Sequence, residues 1–71
     1  MDSAALARIN AEVYRRFPEF QGVKPQARKV DRNTLLTYRI TIELADNKKL
    51  NRSMRVVVDD QDRIIKISTS R

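Results

Sequence analysis

From Leu36 onward the chain alternates between apolar and polar residues in three runs, Leu36–Leu44, Met54–Val58 and Ile64–Thr69. A period of two describes strands with one buried and one wet face. In the first run Leu36, Tyr38, Ile40, Ile42 and Leu44 face one way, while Leu35, Thr37, Arg39, Thr41 and Glu43 face the other. In the second, Leu50, Arg52, Met54, Val56 and Val58 oppose Asn51, Ser53, Arg55, Val57 and Asp59. In the third, Ile65, Ile67 and Thr69 are expected inside and Ile64, Lys66 and Ser68 outside. Strands are expected over about 35–44, 50–59 and 63–69. A fourth, over 26–30, has only Ala27 and Val30 as apolar members, so it is placed at a sheet edge, where Arg28 and Lys29 discourage unwanted pairing.

The N-terminal third has a different period. Leu6, Ile9, Val13 and Phe17 recur at spacings of three and four, widened by Ala5, which predicts an amphipathic helix over about 3–17. Asp2 or Ser3 can cap its first turn. Arg15 and Arg16 suit the negative end of its dipole. Pro18 ends it, because a residue before proline is pushed out of the α region. The connector 18–25 holds both prolines and the only glycine. Its Phe20 and Val23 are expected to fold back and close one end of the core. Together these elements predict an α+β fold: one N-terminal helix packed on one face of an antiparallel β-meander of three to four strands.

Parity restricts how the strands pair. Residues opposite each other in an antiparallel ladder share a face. Two even-numbered apolar sets can meet only across a turn with an odd number of residues, which excludes a simple two-residue Asp46-Asn47 turn unless a bulge intervenes. Placing Leu44 opposite Leu50 matches Ile40 with Met54, Tyr38 with Val56 and Leu36 with Val58, leaving Arg52 beside Ile42 to snorkel. On the wet face the same register sets Arg39 directly opposite Arg55, Thr41 opposite Ser53 and Thr37 opposite Val57. Val58 beside Ile65 then brings Lys66 opposite Val57 and Ser68 opposite Arg55.

Charge sharpens this picture. Of 15 basic and 9 acidic groups, residues 1–25 hold four and three, and residues 26–71 hold eleven and six. Nearly all of the +6 net charge therefore lies on the sheet portion. A basic face favours polyanions or acidic proteins, although net charge also serves solubility. With 71 residues there is room for one small domain. Cys and His are absent, so disulfides and the usual zinc and haem ligand sets are excluded, and no cofactor is expected. The lack of cysteine fits a reducing compartment. No run approaches the roughly 18 apolar residues of a membrane span. The start Met1-Asp2-Ser3-Ala4 lacks the charged and apolar regions of a secretory signal. A cytoplasmic protein without membrane contact is expected.

Catalytic chemistry finds little to work with. A serine nucleophile needs a base such as His, and one glycine cannot build a phosphate loop. Asp59, Asp60 and Asp62 form the only acidic cluster. They lack the glycine and closing Glu of a calcium loop and read as a hairpin turn, with Asp60 paired to Arg63. Tyr38 falls inside and Tyr14 at the rim of the helix stripe, so the open face has no aromatic on which bases could stack.

The order of helix and meander, with Arg55-Val-Val-Val-Asp-Asp followed by Arg63-Ile-Ile-Lys-Ile, resembles PepSY-type domains over roughly the last third of the chain. Asp62 stands near the place of the glycine common in that turn. The resemblance implies a strand–turn–strand of similar rhythm, and no activity is carried over from it.

The sequence thus points to a non-enzymatic binding module. Its open sheet face would hold an anion, foremost nucleic-acid phosphate, through Arg39, Arg55, Lys66 and Arg28, with Thr41 and Ser53 as hydroxyl donors. The alternative is a protein-interaction or homodimerising domain that uses the same face or an edge strand.

Overall fold

The computed structural model describes residues 2–70. One helix, α1 (Ser3–Arg16), precedes four strands, β1 (Gln26–Val30), β2 (Asn33–Glu43), β3 (Lys49–Val58) and β4 (Ile64–Ser70). The strands form one antiparallel sheet in the order β1-β2-β3-β4. The fold is α+β, a helix followed by an open four-stranded meander. No helix among the described residues is long and apolar enough to cross a membrane.

The local chemistry accounts for the helix boundaries. Asp2 is the extended N-cap, and its Oδ1 accepts from the Ala5 N–H at 2.8 Å, satisfying a donor that the first turn leaves free. The last helical residue is Arg16. Phe17 caps the end, its N–H donating to the Val13 carbonyl at 2.8 Å, and Pro18 opens a short 3-10 turn over Pro18–Phe20. Gly22, at φ 81°, redirects the chain toward β1; the left-handed region is open to glycine without a Cβ penalty.

The core lies between α1 and one sheet face. Ile9 and Val13 from the helix meet Leu36, Tyr38, Met54, Val56 and Val58 from β2 and β3, with Phe20 closing the connector end. Phe17 and Val23 pack against this cluster from the connector. Tyr38 is 0% exposed, stands edge-on to Tyr14 and Phe20, and donates its hydroxyl to Asn10 Oδ1 at 2.5 Å. The Tyr14 hydroxyl donates to the Val23 carbonyl at 2.5 Å, tying helix to connector. Arg52 does more than snorkel: its guanidinium donates to Glu19, clamping β3 to the same connector.

Two details of the register differ from the sequence-based expectation. The β2–β3 turn is odd, as parity requires, but shorter. Leu44 donates to the Lys48 carbonyl at 2.7 Å across only Ala45, Asp46 and Asn47. Asp46 and Asn47 take φ of 66° and 62°, a region Asp and Asn tolerate better than most residues. The pairing therefore slides by two positions. Tyr38 lies opposite Met54, Leu36 opposite Val56 and Ile40 opposite Arg52. The slide preserves every buried face, sets Glu43 opposite Lys49, and separates two arginines that the expected register opposed.

The second difference is a bulge. Lys66 pairs with Val57 and Ser68 with Arg55 as expected, but Val58 pairs with Ile64 and the register shifts between Val57 and Val58. Ile64 therefore packs against the core, and Ile65, expected inside, is 55% exposed. The Asp59–Arg63 turn explains the extra residue. Asp59 Oδ1 accepts from the Gln61 and Arg63 N–H groups at 2.9 Å each, its Oδ2 lies 3.4 Å from Arg63 Nε, and Asp62 takes φ 60°. Arg63 pairs with Asp59, not with Asp60.

The sheet outgrows its cover. Among the described residues, β1 pairs with β2 only as far as Thr37, and β4 with β3 only from Ser53. Beyond those residues β2 and β3 continue as a two-stranded arm, with Leu44 48% and Leu50 37% exposed near its tip. The arm makes the molecule 45 Å long by 21 × 16 Å, with a radius of gyration of 13.0 Å; a compact chain of this length gives about 11 Å.

Candidate anion-binding face

The face of the sheet turned away from α1 is built from rows of residues paired across the strands. Arg28, Leu35, Val57 and Lys66 form one row. Gln26, Thr37, Arg55 and Ser68 form the next, and Arg39 and Ser53 lie together one row further along the arm. Strand spacing sets Arg28 and Lys66 about 14 Å apart at the backbone, and consecutive rows lie about 6.7 Å apart. Four cations thus share one surface with a half-buried Leu35–Val57 floor between two of them.

Alternation within β2 and β3 places Arg39 and Arg55 on the same face, but the two-residue slide corrects their relation. Arg39 is opposite Ser53, Arg55 is opposite Thr37, and the two arginines are diagonal neighbours, about 7–8 Å apart at the backbone. The direct cross-strand repulsion expected between them is therefore relieved within the ladder, and two cations remain within reach of one extended polyanion. Thr41 is opposite Asn51, not Ser53, and its Oγ1 donates to Asn51 Oδ1 at 3.0 Å. That commitment takes Thr41 out of the candidate donor set.

Ser53 and Arg55 line a shallow depression with Ser68 and Thr69, with a volume of about 170 Å³. Among the described residues its lining is one arginine and three hydroxyl-bearing residues, with no Asp or Glu. Alternation placed Thr69 inside with Ile65 and Ile67; it does pair with core Met54, but it is exposed on β4, at the sheet margin. A larger depression of about 320 Å³ lies between α1 and the β3–β4 turn, but there two carboxylates, Glu12 and Asp62, offset most of the charge of Arg8, Arg16 and Arg63.

The distribution of carboxylates gives the sheet face its sign. Glu12 bonds Arg15 and Arg16 at 2.6 and 2.9 Å, Glu19 engages Arg52, and Asp59 engages Arg63. The Arg15 hydrogen bond holds the Glu12 carboxyl below its ordinary range, and the Arg63 backbone N–H does the same for Asp59. The Glu12 pairs lie on the helix and the Asp59 pair on the β3–β4 turn, while Glu19–Arg52 joins the connector to β3 on the helix side of the sheet. Among the described residues, Arg28, Arg39, Arg55 and Lys66 take part in no ion pair. The one carboxylate in the paired rows of the open face, Glu43, is at the arm tip opposite Lys49.

No family model matches the chain, and no curated protein or solved structure does so either. Its function is therefore argued from this surface.

Proposed function

We propose that this chain is a non-enzymatic binding module that engages nucleic-acid phosphates through the open face of its sheet. The reading rests on one observation: Arg28, Arg55, Lys66 and Arg39 share a face on which, among the described residues, no ion pair neutralises them. Arg55, with the Ser68 hydroxyl opposite it on the same face, provides a recess that can seat one phosphate. Arg28 and Lys66 flank it at distances suited to further phosphates along a strand. Without an aromatic platform or a groove-sized reading element on this face, binding follows charge and depends little on base sequence.

The test is fluorescence anisotropy with labelled single- and double-stranded oligonucleotides at several salt concentrations. Three to four neutralised phosphates on a duplex give a slope of log K against log salt of about −2.7 to −3.6. Arg55→Glu should weaken binding at least about tenfold and flatten that slope by roughly one to two. Arg8→Glu, the same charge change on the helix side, should have a much smaller effect. Affinity weaker than about 100 μM at low salt, or equal losses in the two variants, would discard the reading.

A further inference from the structure

The β2–β3 arm leaves one strand edge uncovered. β1 pairs with β2 no further than Thr37, so among the described residues the margin of β2 from Tyr38 to Glu43 has no neighbour on that side. The hydrogen bond from Leu44 N–H to the Lys48 carbonyl turns the even-numbered peptide groups of β2 toward β3. The odd-numbered groups of Arg39, Thr41 and Glu43 therefore point outward. The two-residue turn between Val30 and Asn33 sets the same parity from the other end, because Asn33 faces β1.

The geometry points to a second copy of this chain as the occupant of that edge, paired antiparallel about a two-fold axis at Thr41. An axis there engages all three outward residues, whereas an axis at Ile40 or Ile42 engages two. The register places Arg39 of each copy opposite Glu43 of the other, Thr41 opposite Thr41, and Ile40 opposite Ile42 on the helix side. Opposite charges and paired threonines are favourable cross-strand neighbours. The exposed Leu44 enters the row of the other copy's Tyr38. The other free edges lack this complementarity. β1 has Arg28 and Lys29, β4 has Lys66, and the margin of β3 beyond the described part of β4 has Lys49 and Arg52, with no carboxylate among the described residues at a matching position.

A two-fold axis within an antiparallel sheet runs perpendicular to it, so the open faces of both copies lie on one side. Arg28, Arg55 and Lys66 then appear twice on a continuous surface, and Arg39 serves the contact between copies. This doubling extends the phosphate reading, but the pairing itself stands without it. The contact is one short strand edge, well below the roughly 800 Å² per partner of a standard interface, so association in the high-micromolar range is expected.

Sedimentation equilibrium of the full chain from about 10 μM to 1 mM, without nucleic acid, reads the association. Wild type should dimerise. Thr41→Pro should be monomeric yet folded by circular dichroism, because the lost N–H points outward and an edge tolerates proline. Arg39→Glu and Glu43→Arg should each weaken self-association about tenfold, since two repulsive pairs replace two attractive ones. Mixed one to one, those two variants should associate at least as tightly as wild type, because both cross-copy pairs are again opposite in sign. A wild type that stays monomeric at 1 mM, or a mixture no tighter than its components, overturns the proposal. Oligonucleotide anisotropy is read separately. A monomer that binds phosphate refutes the pairing alone, and a dimer that does not bind refutes the phosphate reading alone.

Discussion

Tyr38 joins every part of the core, and its removal has a calculable cost. The ring is fully buried, stands edge-on to Tyr14 and Phe20 at centroid distances of 6.5 and 6.4 Å, and donates its hydroxyl to Asn10. Tyr38→Phe keeps the ring contacts and removes only the donor, a net loss of about 1 kcal/mol. For a domain of this size that lowers Tm by about 4–8 °C. Tyr38→Ala empties the site and forfeits both aromatic pairs, costing about 3–5 kcal/mol. A core this small supplies about that much in total, so the alanine variant should show no cooperative transition. Urea titration followed by circular dichroism measures both. A double-mutant cycle with Asn10→Ala should return a coupling of about 1 kcal/mol. If Tyr38→Phe unfolds at the wild-type midpoint and the cycle shows no coupling, the helix–sheet hydrogen bond contributes nothing and this account of the core fails.

The same burial pushes the Tyr38 phenol well above the ordinary tyrosine range, with Tyr14 adding to the shift. A folded-state pKa raised above the unfolded value of about 10 gives stability that is complete below that pH and declines above it; the Tyr38 part of the tyrosinate absorbance should therefore rise together with loss of circular dichroism. Asp59 has the opposite sign. Its depressed carboxyl stabilises the β3–β4 turn above the ordinary carboxylate pKa of about 4, and the protection of the Gln61 and Arg63 amides, relative to their intrinsic exchange rates, should fall as pH drops below it; unchanged protection down to pH 2 would contradict this. Asp59→Ala, which removes both turn hydrogen bonds, should lower the urea midpoint, and an unchanged midpoint would contradict the role given to this carboxylate. Asp2→Ala should cost about 1 kcal/mol through the lost helix cap, while Asp2→Ser should restore most of it. Arg52→Ala should lower stability by about 1 kcal/mol through its lost stem packing and its pair with Glu19, with the smaller effect at high salt if the pair dominates.

Alternation alone placed Tyr38, Met54, Val56 and Val58 in the core and Arg39, Arg55 and Lys66 on the open face, because a period of two assigns sides whatever the strands pair with. The helix, its Asp2 cap and its end before Pro18 were legible in the same way from local chemistry. The odd parity of the β2–β3 turn was legible too, since an even turn would have opposed buried residues to exposed ones. What alternation leaves open is any shift by two, which keeps every side chain on its face. Only the tertiary structure chose the tighter turn through Asp46 and Asn47, moved Arg39 from Arg55 to Ser53, and set Glu43 opposite Lys49. The bulge that exchanges Ile64 for Ile65 was hidden for a related reason: the Asp59 carboxylate organises the turn through backbone N–H groups, and apolar spacing carries no record of backbone bonds. The length of the uncovered arm depends on where β1 and β4 stop pairing, a matter of how far the helix and its connector can cover the sheet. Sequence determined which side each residue faces; packing and turn geometry decided which residues stand next to one another.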